Sequence, residues 1–366
     1  MIDAIDEVAE LTRCAMSLSS GRLRVQPEDF QVEELLASST LRDGEFIWMQ
    51  VRKRNLNTRW VALGLARHFG VPGRDVSWAG LKDRRAVTMQ WFSVKAKLLP
   101  LRPWFEPGTA LLAHARSRTR LTPGDHQGNR FAIRIREVSD RQGTERALQV
   151  LCARGSVPNY AGPQRFGRDA GNIAALHAWS RNEIRPKDRF ERGLWLSAGR
   201  SWLFNLALSE RVRAGDWHTI VAGDWVVAGS AEGPLWGDGR ALVQGESCRR
   251  AQDAWQGIAW LPRFLAQQDL NHDTRPWQLR VSALQWQWQG AADVVVEFEL
   301  PPGGYATTVL REVIHVLDAS PTRAQADREI AGQEKVDHEN VDHENVDHEN
   351  DNHENDNHEN PLDDAV

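Results

Sequence analysis

Two stretches of this chain alternate apolar and polar positions with a period of two. Phe131, Ile133 and Ile135 alternate with Ala132, Arg134 and Arg136, and Val294, Val296, Phe298 and Leu300 show the same spacing. Successive side chains of a strand point to opposite faces, so each stretch is expected to be a half-buried strand, the first with basic residues outward. The run from Phe46 to Val51 is a third strand candidate. Helical spacing appears between them: Val61, Leu65 and Phe69 recur every four residues, with Thr58 expected as the cap and Gly70 as the stop. Helical patterns also fit residues 144–154 and 200–212. Strand and helix signals interleaved in this way predict an α+β protein with a mixed sheet.

The chain has 366 residues, room for about two domains. Turn chemistry at 155–158 and at Pro301-Pro302-Gly303-Gly304 allows the segment between them to be inserted into a domain made from the two ends. From Val336 to Asn360 the chain reads VDHEN three times and DNHEN twice. A segment with so few apolar residues forms no core, so a disordered tail is expected over 326–366. Its histidines, each followed by glutamate, bind metal weakly at most, because nothing fixes a coordination geometry.

The tail also hides the charge of the rest. The net charge is -5, yet residues 1–332 hold 44 basic and 37 acidic groups, a balance of +7. A mildly basic body permits binding to a polyanion without requiring it. Three widely spaced cysteines, Cys14, Cys152 and Cys248, form no CxxC pair and argue against a disulfide framework or zinc site. With no secretory signal and no apolar run of bilayer length, a cytoplasmic protein without membrane attachment is expected.

Four clusters carry candidate chemistry. Between Ala79 and Val94 a glycine-containing loop delivers one carboxylate, Asp83, flanked by Lys82, Arg84 and Arg85. Neighbouring cations keep a carboxylate ionised, and an ionised, oriented carboxylate acts as a nucleophile. The competing reading is an ordinary loop salt bridge. The second cluster, Tyr160 to Asp169, offers Arg165 and Arg168 as phosphate partners or a tight turn with solvated arginines. In the third, Asn129 suits a base edge and Phe131 a base face, although the pattern alone favours Asn129 in a turn and Phe131 in the core. The fourth, from Gly303 to Thr307, precedes a helix that Thr307 would cap. No zinc deaminase, GxSxG or HExxH signature is present.

In their order these clusters resemble the TruD family of pseudouridine synthases. The matching stretches are Val25 to Glu34, Asn57 to Arg59, Ala79 to Phe92, Gly128 to Phe131, Pro158 to Asn172, Ser197 to Val212 and Leu300 to Glu312. The resemblance implies a pseudouridine-synthase mixed-sheet catalytic domain with a large inserted α/β domain, V-shaped around a central RNA cleft. Residues 1–154 and 303–325 would form the catalytic domain and 155–302 the insertion. It also implies isomerisation of uridine 13 in the D-arm of tRNA, with tRNA as partner and no cofactor. No heptad or obvious apolar interface is visible in the sequence, so a monomer is expected.

On the same resemblance Asp83 is the catalytic carboxylate, and Phe30, Asn129 and Phe131 surround the target base. Tyr305 stands where Phe is usual, Arg24 where Lys is common, and Lys82 matches the basic residue before the aspartate. Arg84, Arg85, Arg165 and Arg168 would meet phosphates. Attack by Asp83 on ribose C1′, assistance to a glycal, and attack on C6 all remain open. Phe131 cannot act as a base, so another group must move the C5 proton. Ala161 replaces an aromatic of the family pattern, and Thr122 and His126 replace an arginine and a leucine. Two other readings stand beside this one: a tRNA chaperone that keeps the fold without catalysis, and a metal-sequestering protein acting through the repeats.

Overall fold

The two alternating stretches lie side by side as antiparallel strands, with Phe131 opposite Phe298 and Ile133 opposite Val296. The computed structural model describes residues 11–14, 19–36, 44–100, 104, 106–122 and 124–319. The repeat tail therefore lies outside the described residues, as does its expected disorder. In chain order the strands are β1 (Ser20–Leu23), β2 (Phe30–Leu35), β3 (Phe46–Arg54), β4 (Val76–Trp78), β5 (Val87–Lys95), β6 (Thr109–Ser117), β7 (Gly128–Ile135), β8 (Ser156–Pro158), β9 (Trp225–Val227), β10 (Ser230–Leu235), β11 (Asp273–Pro276), β12 (Gln278–Arg280), β13 (Ser282–Gln289), β14 (Asp293–Leu300) and β15 (His315–Asp318). The helices are α1 (Thr58–Phe69), α2 (Arg141–Arg154), α3 (Gly171–Ser180), α4 (Arg189–Ala214), α5 (Gly245–Ala254), α6 (Trp260–Leu265) and α7 (Ala306–Arg311).

An eight-stranded sheet in the order β13-β14-β7-β2-β5-β3-β6, with β4 on β5, is the centre of the fold. It is mixed, because β2 and β5 run parallel while their other neighbours are antiparallel. A short parallel pair, β1 with β15, joins the two ends of the described chain. Residues 282–300, which the sequence reading groups with the inserted segment, are strands β13 and β14 of the large sheet.

Residues directly paired across strands share a face. One such row is Lys53, Thr88, Val32, Phe131 and Phe298. On this face Ile47, Met49, Val51, Phe92 and Val94 bury against Val61 and Leu65 of α1. Farther along, Ile133, Ile135, Val296 and Phe298 bury against Leu148 and Leu151 of α2 and Val309 and Leu310 of α7. Between these apolar areas sits a band of buried polar side chains: Lys53, Thr88, Gln90, Glu34 and Asn129. On the opposite face Arg130 is neutralised by Glu33 at 3.2 Å and Glu299 at 2.9 Å. The outward charges of β7 are thus spent within the sheet.

A second core forms around α4, where Trp195, Trp202, Leu203, Phe204 and Leu208 pack with Leu176, Leu261, Leu265, Trp255 and Trp277. Five of the chain's sixteen tryptophans, Trp195, Trp202, Trp217, Trp255 and Trp277, are buried in it. Gly199 of α4 lets Leu176 approach closely, since a Cβ there would lie 2.4 Å from Leu176 Cδ2 and that side chain would have to move. Among the described residues no helix is long and apolar enough to cross a membrane.

Three local expectations need correction. Asn57, not Thr58, caps α1: its backbone is extended and its side chain accepts from the Arg59 N–H at 2.9 Å. Thr58 is then the first helical residue, and its hydroxyl turns to the sheet. Thr307 caps nothing, because α7 begins at Ala306, and its hydroxyl has no hydrogen-bond partner among the described residues. Asn129 lies within β7 and not in a turn. The helices fitted at 144–154 and 200–212 are longer, beginning at Arg141 and Arg189 behind the aspartate caps Asp140 and Asp188.

The 160–167 loop is tied to α4 by Asn205, which accepts from Ala161 N at 2.8 Å and donates to Ala161 O at 3.0 Å, fully inside the protein. Asn205→Ala leaves two buried backbone groups unpaired. It is expected to lower unfolding free energy by about 2 kcal/mol or more, at roughly 1–3 kcal/mol per orphaned group, as read by urea denaturation.

Candidate active site

Asp83 stands on the loop between β4 and β5, above the polar band. Gln90 of β5 donates to Gly80 O at 2.6 Å and shapes the loop's start. Thr58 donates to Gln90 Oε1 at 3.0 Å and accepts from Lys82 N at 3.1 Å, so the first turn of α1 holds the loop from the side. Lys82 then plunges to Glu34 on β2, 2.6 Å away, where the two side chains are 7% and 0% exposed. The other Glu34 oxygen accepts from Trp91 N at 2.9 Å. A buried charge needs a partner and satisfied lone pairs, and Glu34 has both.

The Asp83 carboxylate faces a different cation. Arg24 follows β1 in a left-handed conformation, φ 56°. It donates to Asp83 Oδ2 at 3.1 Å and to Asp318 Oδ2 of β15 at 2.7 Å. The same guanidinium lies 4.1 Å over the ring of Phe30. Phe30 meets Phe131 edge-on with centroids 6.3 Å apart, and Phe131 stacks on Phe298 at 5.4 Å. One continuous set of contacts therefore runs from the carboxylate through Arg24 to the aromatic rings on the sheet. Asn129 shares the face of Phe131, opposite Glu34. Its side-chain oxygen is buried with no hydrogen-bond partner among the described residues. An orphaned acceptor of this kind costs about 1–3 kcal/mol and is relieved by a ligand donor.

Lys53 lies beneath the loop and is fully buried. It donates to Asp83 O at 3.2 Å and to Leu56 O at 2.8 Å. Burial pushes its ammonium down to about 8; the Asp83 charge opposes this shift and the Lys82 charge adds to it. His126, close enough to feel Lys82 and Glu34, is also lowered, chiefly by burial.

A model of the tRNA pseudouridine synthase D (TruD) family matches residues 14–175. The tRNA pseudouridine synthase D of Nitrosococcus oceani is 36% identical over 333 residues, 82% of this chain and 92% of that protein. That of Vibrio cholerae is 35% identical, covering 86% and 93%. The chain belongs to the tRNA pseudouridine synthase D family. A Methanosarcina mazei protein assigned to the same group has a crystal structure that superposes with a TM-score of 0.63, covering 83% of this chain and 95% of that one at 20% identity. The mixed sheet described above is therefore the fold of a pseudouridine synthase.

Within the TruD frame, the structure brings together Asp83, Arg24, Lys82, Phe30, Phe131 and Asn129. Tyr305 lies with a second group: its hydroxyl accepts from Arg165 Nε at 3.0 Å, while Arg165 Nη1 reaches Ser197 at 3.1 Å. Arg275 stands beside them, donating to Asn159 and Gly303. Burial draws its guanidinium down to about 10; Tyr305 opposes that and Arg165 adds to it. Of the arginines expected at phosphates, Arg84 is exposed on the loop and Arg85 donates to Val25 O at 3.1 Å. Arg165 is engaged as above, and the side chain of Arg168 lies outside what is described.

The sequence reading missed Glu34, Thr58, Gln90, Lys53 and Asp318. A signal existed for two of them. Lys53 continues the inward period of Ile47, Met49 and Val51, and Glu34 continues that of Phe30 and Val32. A charge on the apolar side of a strand marks a buried pair or a site. Glu34→Gln leaves Lys82 buried without its counter-charge and is expected to cost about 3–5 kcal/mol in chemical denaturation. Adding Lys82→Met to Glu34→Gln should return part of that loss.

Proposed function

We propose that this protein isomerises uridine 13 in the D-arm of tRNA to pseudouridine, with Asp83 as the catalytic carboxylate. Membership of the TruD family supports the reaction class and the substrate class. The observation that carries the residue assignment is the continuity of Asp83, Arg24, Phe30 and Phe131, with the orphaned oxygen of Asn129 on the same face.

The base has to leave the stack before its glycosidic bond can be cut. On this reading an aromatic face receives it, and Asn129 Oδ1 accepts a hydrogen bond from its Watson–Crick edge. Asp83 then acts at C1′: a carboxylate oxygen bonds to C1′ as the C1′–N1 bond breaks, leaving its electron pair on the uracil. The uracil turns and C5 bonds to C1′, releasing the carboxylate. C5 loses its proton and N1 gains one, so reactant and product have the same atoms. Arg24 holds the carboxylate before attack and takes up its negative charge again after release. Phe131 is apolar and moves no proton. Arg84 on the exposed loop, with Arg85, Arg165 and Arg168, would meet the RNA backbone, and Tyr305 would lend its ring to the nucleotide. Strands β1 and β15 would frame the catalytic domain, with the helical core around α4 as the insertion.

Pseudouridine mapping on tRNA transcripts tests the assignment. Modification at the D-arm uridine by the native protein, with a loss of at least about 10⁴-fold for Asp83→Asn, is the expected result, since a covalent step has no substitute there. Equal modification by both proteins would remove Asp83 from the chemistry.

A further inference from the structure

Lys53 is used by no step of the proposed reaction, yet its ammonium is fully enclosed next to the loop that performs it. We propose that Lys53 is a positioning residue, gripping the backbone carbonyls of Leu56 and Asp83 so that the Asp83 carboxylate is presented at one fixed height and direction. This inference rests on the reading of Asp83 as the catalyst.

The geometry is specific. Lys53 sits directly across from Thr88 of β5 and Thr109 of β6, in the row that leads to Phe131. Its Nζ reaches Leu56 O, just before α1, at 2.8 Å and Asp83 O at 3.2 Å. The site loop and the entry to α1 are therefore tied to one point on the sheet. Arg24 restrains the same aspartate from the carboxylate end at 3.1 Å. Held at both its carbonyl and its carboxylate, Asp83 keeps little freedom to swing. No carboxylate is bonded directly to Lys53 among the described residues; Glu34 is taken by Lys82 and by Trp91 N–H. An apolar side chain would satisfy burial better, so retaining an ammonium there calls for a task that charge performs. Hydrogen bonds from an ammonium to carbonyls are shorter and stronger than those from a neutral amine, and one lost proton weakens both.

The groups facing Lys53 are Asp83, which favours its charge, and Lys82, which opposes it. Burial brings its proton loss down to about 8 from an ordinary value of 10.5. The folded state thus binds this proton less tightly than the unfolded state. The contribution of Lys53 to stability is fully present above the unfolded value and is lost as the pH falls through about 8. From neutral to alkaline pH, stability due to Lys53 rises while its grip on Asp83 weakens. A merely structural lysine would not separate the two.

The test uses the full chain with a tRNA transcript, native and as K53M, K53R and D83N, with kcat and KM measured from pH 6 upward. K53M is expected to lose on the order of 100-fold in kcat, the scale of an ångström misplacement, with KM within about threefold. Native kcat should fall as pH rises past about 8, while thermal unfolding in the same buffers shows no matching loss. K53R, whose guanidinium keeps its charge, should have a lower plateau without that alkaline fall. A K53M kcat within about threefold of native overturns the proposal. So does an alkaline fall shared by K53R, which would place its origin outside the Lys53 ammonium. If K53M does not fold, the K53R profile decides alone. Activity in D83N would instead remove the reading of Asp83 itself, whereas an inactive D83N beside an unimpaired K53M removes only the role of Lys53.

Discussion

Lys82 and Glu34 meet 2.6 Å apart where solvent does not reach, and the geometry of the loop follows from that contact. The lysine enters from the Asp83 loop and the glutamate from β2, so the pair sews a surface loop onto the central sheet. Such a pair gives little net stability, because desolvation offsets most of the attraction. Its value lies in direction. Loop conformations that fail to bring Lys82 to Glu34 would leave one or both charges buried alone, which is strongly disfavoured. The residue after Lys82 is Asp83, and its place is fixed as a consequence. Thr58 and Gln90 add neutral hydrogen bonds to the same loop, and neither tolerates a displaced backbone.

Arg24 makes the site depend on both the first and the last strand of the described chain. It follows β1, which pairs with β15, and its guanidinium divides between Asp83 of the loop and Asp318 of β15. The same planar group stacks on Phe30, a contact that arginine makes better than lysine because its cation is flat and weakly hydrated. Where the resemblance suggests lysine, arginine here unites three roles in one side chain. The aromatic rings beyond it, Phe30, Phe131 and Phe298, come from three adjacent strands and meet only because the register sets Phe131 and Phe298 in one row and Phe30 in the next.

Strands β7 and β14 were legible in the sequence because period-two alternation over Phe131 to Ile135 and Val294 to Leu300 allows few other solutions, and β3 was legible from its run Phe46 to Val51, whereas β2, β4, β6 and β13 of the same sheet were not. The Asp83 loop was legible too, through a motif whose order along the chain resembled the TruD family. The cap of α1 was misread because Thr58 is itself a good cap; Asn57 takes that role and frees the threonine hydroxyl for the sheet. Strands 282–300 were grouped with the insertion because turn signals at 301–304 mark a chain bend, not a boundary between cores. The basic residues of β7 were expected to face outward, and they do not stand free there: Arg130 and Arg134 are neutralised by Glu33, Glu299 and Asp293, which come from distant parts of the chain.

By itself the sequence determined that the runs at Phe46–Val51, Phe131–Ile135 and Val294–Leu300 are strands, the apolar face of the last two, the positions of α1 and of parts of α2 and α4, and that one loop presents a carboxylate among cations. These are local properties, set by side-chain spacing and backbone preference within a few residues. Only the tertiary structure decided which cation belongs to which carboxylate. Lys82 lies next to Asp83 in sequence but pairs with Glu34, whereas Arg24, fifty-nine positions away, pairs with Asp83. Partner choice among charges depends on distance and desolvation in the folded interior, and a strand register that brings residues 34, 53, 88 and 129 into one band cannot be read from any one of them.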